Sequence, residues 1–222
     1  MKRELREAYR LMRKEFGHRN WWPGDSTFEI CVGAILTQNT SWQNVEHAIT
    51  NLKAAKTLSA KKIYALDRKE LAQLIRPAGY FNIKAKRLGN FVDILVKEHG
   101  ASIKRMMTGS TQIVRDRLLS INGIGPETAD SMLLYAGNQH SFVIDAYTKR
   151  IFSRHGWCNE KSGYDELQSL CESSLNQKTG FQQLDYWRDY HAQLVDTGNR
   201  YCKPRNPRCP ECPLKTLLPT ES

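Results

Sequence analysis

Residues 118–136 read LLSINGIGPETADSMLLYA. Two apolar segments of helical period flank the tight run NGIG at 122–125. Gly123 and Gly125 permit a sharp turn and a close approach of backbone to another surface. Pro126 suits the first position of a helix, where no N–H is needed. The exposed N–H groups at such a helix start attract an anion. A hairpin of this kind can hold a phosphate without any charged side chain. Taken alone, it can equally be an ordinary corner between two helices.

Outward from the hairpin, almost every periodic segment is helical. Apolar spacing predicts helices over 28–38, 42–54, 67–75, 83–99, 111–121, 126–136, 146–155, 164–176 and 184–197. Asp25, Ser26 or Thr27 can cap the first of these, and Asp145 can cap the helix over 146–155. Near the N-terminus, Leu5, Tyr9, Met12 and Phe16 fall on one face of a charged helix. Loops are expected at 20–27, 76–82, 121–126 and 137–144. No alternating strand series and no internal repeat is visible, so the fold class is all-α.

The chain has 222 residues, enough for one large domain or two small lobes. Its 33 Lys and Arg against 23 Asp and Glu give a net charge of +10, which favours a polyanionic partner. The longest apolar run, 30–36, is far too short for a bilayer, so no membrane partner is expected. The opening MKRELREAYRLMRKEF has no apolar signal core, which predicts a cytoplasmic protein, at the nucleoid if bacterial. In a reducing compartment the crowded Cys202, Cys209 and Cys212 point to metal before disulfide. The tail from Gly198 is Pro-rich and irregular, so something other than an apolar core is expected to order it.

The hairpin resembles the helix-hairpin-helix of the endonuclease III superfamily of DNA glycosylases (HhH-GPD). The likeness extends along nearly the whole chain. The segment FVIDAYTKRI at 142–151 looks like the one that carries the family's catalytic aspartate, here Asp145. LTQNT at 36–40 resembles the glutamine-bearing loop, and GYFNIKAKRL at 79–88 a further family segment. The spacing Cys202-x6-Cys209-x2-Cys212 matches the start of the iron–sulfur loop. These landmarks in the right order make coincidence unconvincing. The resemblance implies two helical lobes: a six-helix barrel with the hairpin over 22–138, and a terminal lobe of 1–21 and 139–222. It implies a monomer that binds double-stranded DNA containing a damaged base, flips that base out and cleaves its N-glycosidic bond.

Breaking that bond builds positive charge on the sugar. A carboxylate at Asp145 would stabilise the charge and orient water, and the helix start would help keep it ionised. The alternative role of Asp145 is a helix cap; both can coexist. Family members with lyase activity carry a lysine where this chain has Glu127, in the run Gly123-Ile-Gly125-Pro-Glu127. A carboxylate cannot form the Schiff base that such a lysine makes. The resemblance therefore implies a monofunctional enzyme. Lys149 lies close to Asp145 in sequence, with nothing to bring it to the sugar. Trp21, Trp22, Pro23 and Trp42 resemble the base pocket of the 3-methyladenine branch, where aromatic faces stack on the flipped base. An electron-poor alkylated purine would gain cation–π attraction there. Tryptophans packed as core are the plainer reading of any one of them. Gln38 looks like the residue that enters the gap left by the base, with a helix-end hydrogen bond as its alternative. Tyr80 and Asn82 are candidates for a second DNA-contacting loop, and Lys84, Lys86 and Arg87 for phosphate contacts or a solvated face.

The family's cluster pattern ends in a fourth cysteine, six residues beyond Cys212; this chain has Leu218 there. Four thiolates normally hold a [4Fe–4S] cluster. Either three cysteines and another ligand hold it, or Cys158, Cys171 or His191 completes a site, or the cluster is lost. Zinc is an alternative, since three thiolates and a histidine suit it. The favoured expectation is an iron–sulfur cluster that positions Lys203, Arg205 and Arg208 toward DNA. For the reaction, three readings stand: excision of alkylated purines; excision of oxidised pyrimidines, uracil or mismatched bases, with or without lyase activity; or DNA binding by the hairpin without catalysis.

Overall fold

The computed structural model describes residues 1–21 and 24–219. Trp22 and Pro23, both expected in the base pocket, lie outside the described residues. The chain divides into two compact units, one of Met1–Trp21 with His140–Ser222 and the other of Trp22–Gln139. Among the described residues there are helices and turns but no strand, so the fold is all-α, as the periodicity predicts.

Helix α1 (Lys2–Phe16) opens the first unit and buries Leu5, Ala8 and Met12. The second unit runs through α2 (Thr27–Leu36), α3 (Trp42–Ala54), α4 (Ala60–Ala65), α5 (Arg68–Leu74) and α6 (Phe81–Lys97). It continues with α7 (Ile103–Met106), α8 (Thr111–Leu119) and α9 (Pro126–Ser131), the last running on into a π-helical turn, Met132–Ala136. The chain then returns to the first unit with α10 (Ala146–Arg154), α11 (Tyr164–Leu175) and α12 (Gly180–Arg200). Two short 3-10 turns, Cys209–Glu211 and Lys215–Leu217, shape the tail.

Ser26 caps α2, its hydroxyl accepting from Glu29 N at 3.2 Å. Most of α2 is buried, including Cys31, Val32, Ile35 and Leu36, so it forms the centre of the second unit. Phe91, Val92 and Leu95 of α6 and Leu118 of α8 pack into the same core. Full burial of each such side chain contributes roughly 1.5–3 kcal/mol. Helices α4 and α7 have six and four residues, too few to show a period, so neither is legible in the sequence. Helix α12 extends beyond the predicted 184–197 at both ends, because its flanks are largely exposed and carry no apolar stripe.

In the first unit Tyr9, Phe142, Tyr186, Trp187 and Tyr190 form an aromatic cluster, with Tyr9 and Tyr190 stacked at 5.5 Å. Asp189 on α12 is fully buried and accepts from Tyr9 Oη (2.7 Å), Arg13 Nη1 (3.0 Å) and the Arg19 backbone N–H (2.7 Å). This ties α1 and the segment after it to α12. No described helix is long and apolar enough to cross a membrane.

Candidate active site and nucleic-acid interface

The hairpin lies between α8 and α9. Gly123 has φ +99°, a value that favours glycine, and a Cβ there would come within 2.3 Å of the Arg87 side chain. Gly125 is different: its φ is −96°, and a Cβ would meet nothing within 4 Å. The turn itself thus demands glycine only at 123. At 125 the missing side chain leaves the start of α9 open, with Pro126 at its first position. Beneath the turn, Arg115 of α8 forms a two-pronged ion pair with fully buried Asp130 of α9, at 2.9 and 3.1 Å. Asn90 of α6 donates to Asn122 O at 2.9 Å. Glu127 is exposed on the first turn of α9.

Gln38 braces this hairpin. Its Nε2 donates to Gly123 O (3.1 Å) and Thr128 Oγ1 (3.0 Å), while its Oε1 accepts from Arg87 Nη1 (2.5 Å). Entry of Gln38 into a gap in DNA would cost these three bonds. Lys84 requires a correction. It was a candidate for a phosphate contact, yet it is 1% exposed and its ammonium donates to Leu36 O (2.8 Å) and Ala78 O (2.7 Å). It therefore satisfies the C-terminal end of α2 from inside the core. Burial, and then the charge of Arg87, pulls its pKa down to about 8. Lys86 and Asn82 are exposed, and Tyr80 is 68% exposed in a left-handed conformation (φ 46°) just before α6. Trp42 is half-buried at the start of α3 with its indole N–H on Glu46 Oε1 at 2.9 Å. Trp21 is half-buried and belongs to the other unit.

Asp145 is buried and caps α10. Its Oδ1 accepts from Thr148 N (2.7 Å) and Thr148 Oγ1 (2.8 Å), and its Oδ2 lies 3.5 Å from His191 Nε2. Burial opposes the negative charge. The imidazole of His191 and the two Thr148 bonds outweigh it and hold the carboxyl below its ordinary range. His191, which the sequence offered only as a metal ligand, instead faces this carboxylate. Its partner lies 46 residues away, as the numbers 145 and 191 give, beyond the reach of any local pattern.

Residues 32–177 match the family model described as HhH-GPD superfamily base excision DNA repair protein. A protein of Methanocaldococcus jannaschii, provisionally named a DNA repair glycosylase, is 47% identical over 210 residues, covering 94% of this chain and 93% of its own. The solved structure of the Helicobacter pylori 3-methyladenine DNA glycosylase bound to 1,N6-ethenoadenine is 28% identical, with a TM-score of 0.76, over 89% of this chain and 97% of that one. A non-covalent endonuclease III–DNA complex matches in fold, at 21% identity and a TM-score of 0.82, over 98% and 95% of the two chains. The chain belongs to the HhH-GPD superfamily. It is a DNA-binding base-excision glycosylase.

The tail of this glycosylase frames a partly open hollow lined by Cys202, Cys209, Cys212, Leu218, Arg154 and His155, among others. Cys202 and Cys212 are buried, and all three thiols are free of disulfides. Burial, and then the neighbouring Cys202 and Cys209 sulfurs, pushes the Cys212 thiol up to about 11. Arg154 Nη1 donates to Cys202 Sγ at 3.2 Å. Arg154 also holds Lys203 O (2.6 Å) and Pro204 O (3.0 Å), and Arg150 Nε holds Cys202 O (2.6 Å), so α10 clamps the loop. Leu214 is fully buried, so some apolar packing does help order the tail. Cys158, Cys171 and His191, the expected substitutes for the fourth cysteine, do not line the hollow; His155 does.

Among the described residues no three His, Cys, Asp or Glu side chains converge as a single metal ion needs. An iron–sulfur cluster binds its thiolates at separate irons, and three thiols around one hollow fit that demand.

Proposed function

We propose that this glycosylase is monofunctional and excises alkylated purines by hydrolysis. The reading rests on a buried, ionised carboxylate at Asp145, together with an acidic rather than an amine side chain, Glu127, at the lyase position of the hairpin. A purine nucleoside alkylated at ring nitrogen N3 or N7 already carries positive charge. When the C1′–N bond breaks, its electron pair leaves with a base that becomes neutral, so no proton donor is needed. Asp145 balances the charge on the sugar and orients the water whose oxygen bonds C1′. The water proton passes to the carboxylate or to solvent. Asp145 can do this because His191 and Thr148 keep it charged while burial excludes bulk water.

Trp42 supports the base preference. Its indole N–H donates to Glu46, which makes the ring face richer in electrons and better matched to a cationic base. The likeness to a 3-methyladenine DNA glycosylase, solved with 1,N6-ethenoadenine bound, supports a purine as the base. Tyr80, Asn82 and Lys86 supply exposed groups for the DNA strand, and the open start of α9 at Gly125 receives a phosphate. In this reading Gln38 acts on DNA through the hairpin it braces. Three thiolates, from Cys202, Cys209 and Cys212, would hold an iron–sulfur cluster, which supplies order to the basic tail and takes no part in bond cleavage.

Duplexes carrying one lesion each test the substrate. Free 3-methyladenine should appear in excess over thymine glycol or uracil. Preferential release of either pyrimidine lesion would overturn the alkylpurine assignment while leaving the glycosylase fold intact.

A further inference from the structure

We propose that His155 is the ligand of the fourth iron, the one that Leu218 cannot bind. The inference depends on the cluster reading above and concerns what completes it. The hollow that collects the three thiols is also lined by His155 and Leu218, and His155 is 8% exposed. The imidazole is held on two sides. Its ring stacks on Trp157 with centroids 4.6 Å apart. Its Nδ1 lies 3.1 Å from Leu217 O, the carbonyl immediately before the vacant cysteine position. A carbonyl can only accept, so Nδ1 carries the hydrogen. Nε2 is then left with its lone pair, the state an iron ligand requires. Metal-binding histidines typically give their other N–H to a backbone carbonyl or carboxylate in this way.

The placement also explains how a leucine is tolerated at 218. Imidazole is a fitting donor to iron and replaces cysteine in some natural clusters. The donor here comes from the end of α10, the same helix whose Arg150 and Arg154 clamp the loop.

The test uses the full chain, loaded anaerobically with ferrous iron and sulfide. About four irons and four sulfides per chain are expected. A folded protein that takes up neither defeats the cluster reading itself and the ligand with it. With a full cluster present, protein labelled with 15N-histidine is reduced and examined by pulsed EPR. An isotope-sensitive nitrogen coupling should be present and should vanish in His155→Ala. A full cluster with no such coupling, or with the same coupling in His155→Ala, overturns the assignment. Ferricyanide gives a second readout. His155→Ala should lose about one iron in four and show the signal of a three-iron cluster, while the wild type and His155→Cys keep all four. Leu218→Cys added to His155→Ala should restore retention. If His155→Ala does not fold, the nitrogen coupling in the wild type and iron retention in His155→Cys still decide. Equal iron loss from wild type and His155→Ala counts against the ligand.

Discussion

Asp145 caps α10 through Oδ1 and turns Oδ2 toward His191, so one side chain serves the fold and the proposed chemistry. Its pKa is lowered from 3.8. A carboxylate depressed by folding contributes stability that is present above its unfolded pKa and lost as pH falls through the folded one. Asp145 is therefore charged throughout the neutral range. A carboxyl-carbon NMR titration should place its midpoint below the ordinary aspartate value; a midpoint above that value contradicts the environment described. Asparagine is also a good N-cap. Asp145→Asn should thus fold and bind duplex DNA, yet lose about 10²–10³ in single-turnover excision. Near-normal excision by that variant would remove Asp145 from the chemistry.

The hairpin and α12 show how glycine serves two separate purposes. Gly123→Ala meets both a positive φ and the Arg87 side chain, and should cost at least about 1 kcal/mol in thermal or denaturant unfolding. At Gly125 an added Cβ meets nothing within 4 Å, so Gly125→Val should keep its stability while affinity for duplex DNA falls. Unchanged affinity would mean that no phosphate approaches there. Gly198 on α12 lies against Tyr147 of α10, and an added Cβ would sit 2.3 Å from that ring. Gly198→Ala should lose about 1–3 kcal/mol, because Tyr147 is also held by Asn199 through its hydroxyl at 2.7 Å. An unfolding midpoint equal to wild type would show that the ring moves freely.

These elements also mark what could be read beforehand. The turn at 122–125 and the cap at Asp145 are local, their signals contained within a few residues. Lys84 misled because a charged side chain in a basic helix reads as solvent-facing, and only the fold reveals the carbonyls that bury it. Gln38 meets partners 49, 85 and 90 residues away, and His155 meets Leu217 at 62. No period or motif reports such distances.

Across the molecule the tasks are divided. One unit contains the hairpin, Gln38 and Trp42, and the other contains Asp145, His191 and the cysteine tail. The net charge of +10 suits a protein that neutralises phosphates along a duplex. The proposed reaction needs only water and a carboxylate, whereas a lyase needs an amine bonded to the sugar. Borohydride reduction during turnover on lesion duplex separates the two, since it freezes a Schiff base into a permanent protein–DNA adduct. Hydrolysis by water gives full base release, no appreciable adduct, and strands that break only on alkali treatment. An adduct forming in step with base release would contradict it and identify a lysine at work in place of Glu127.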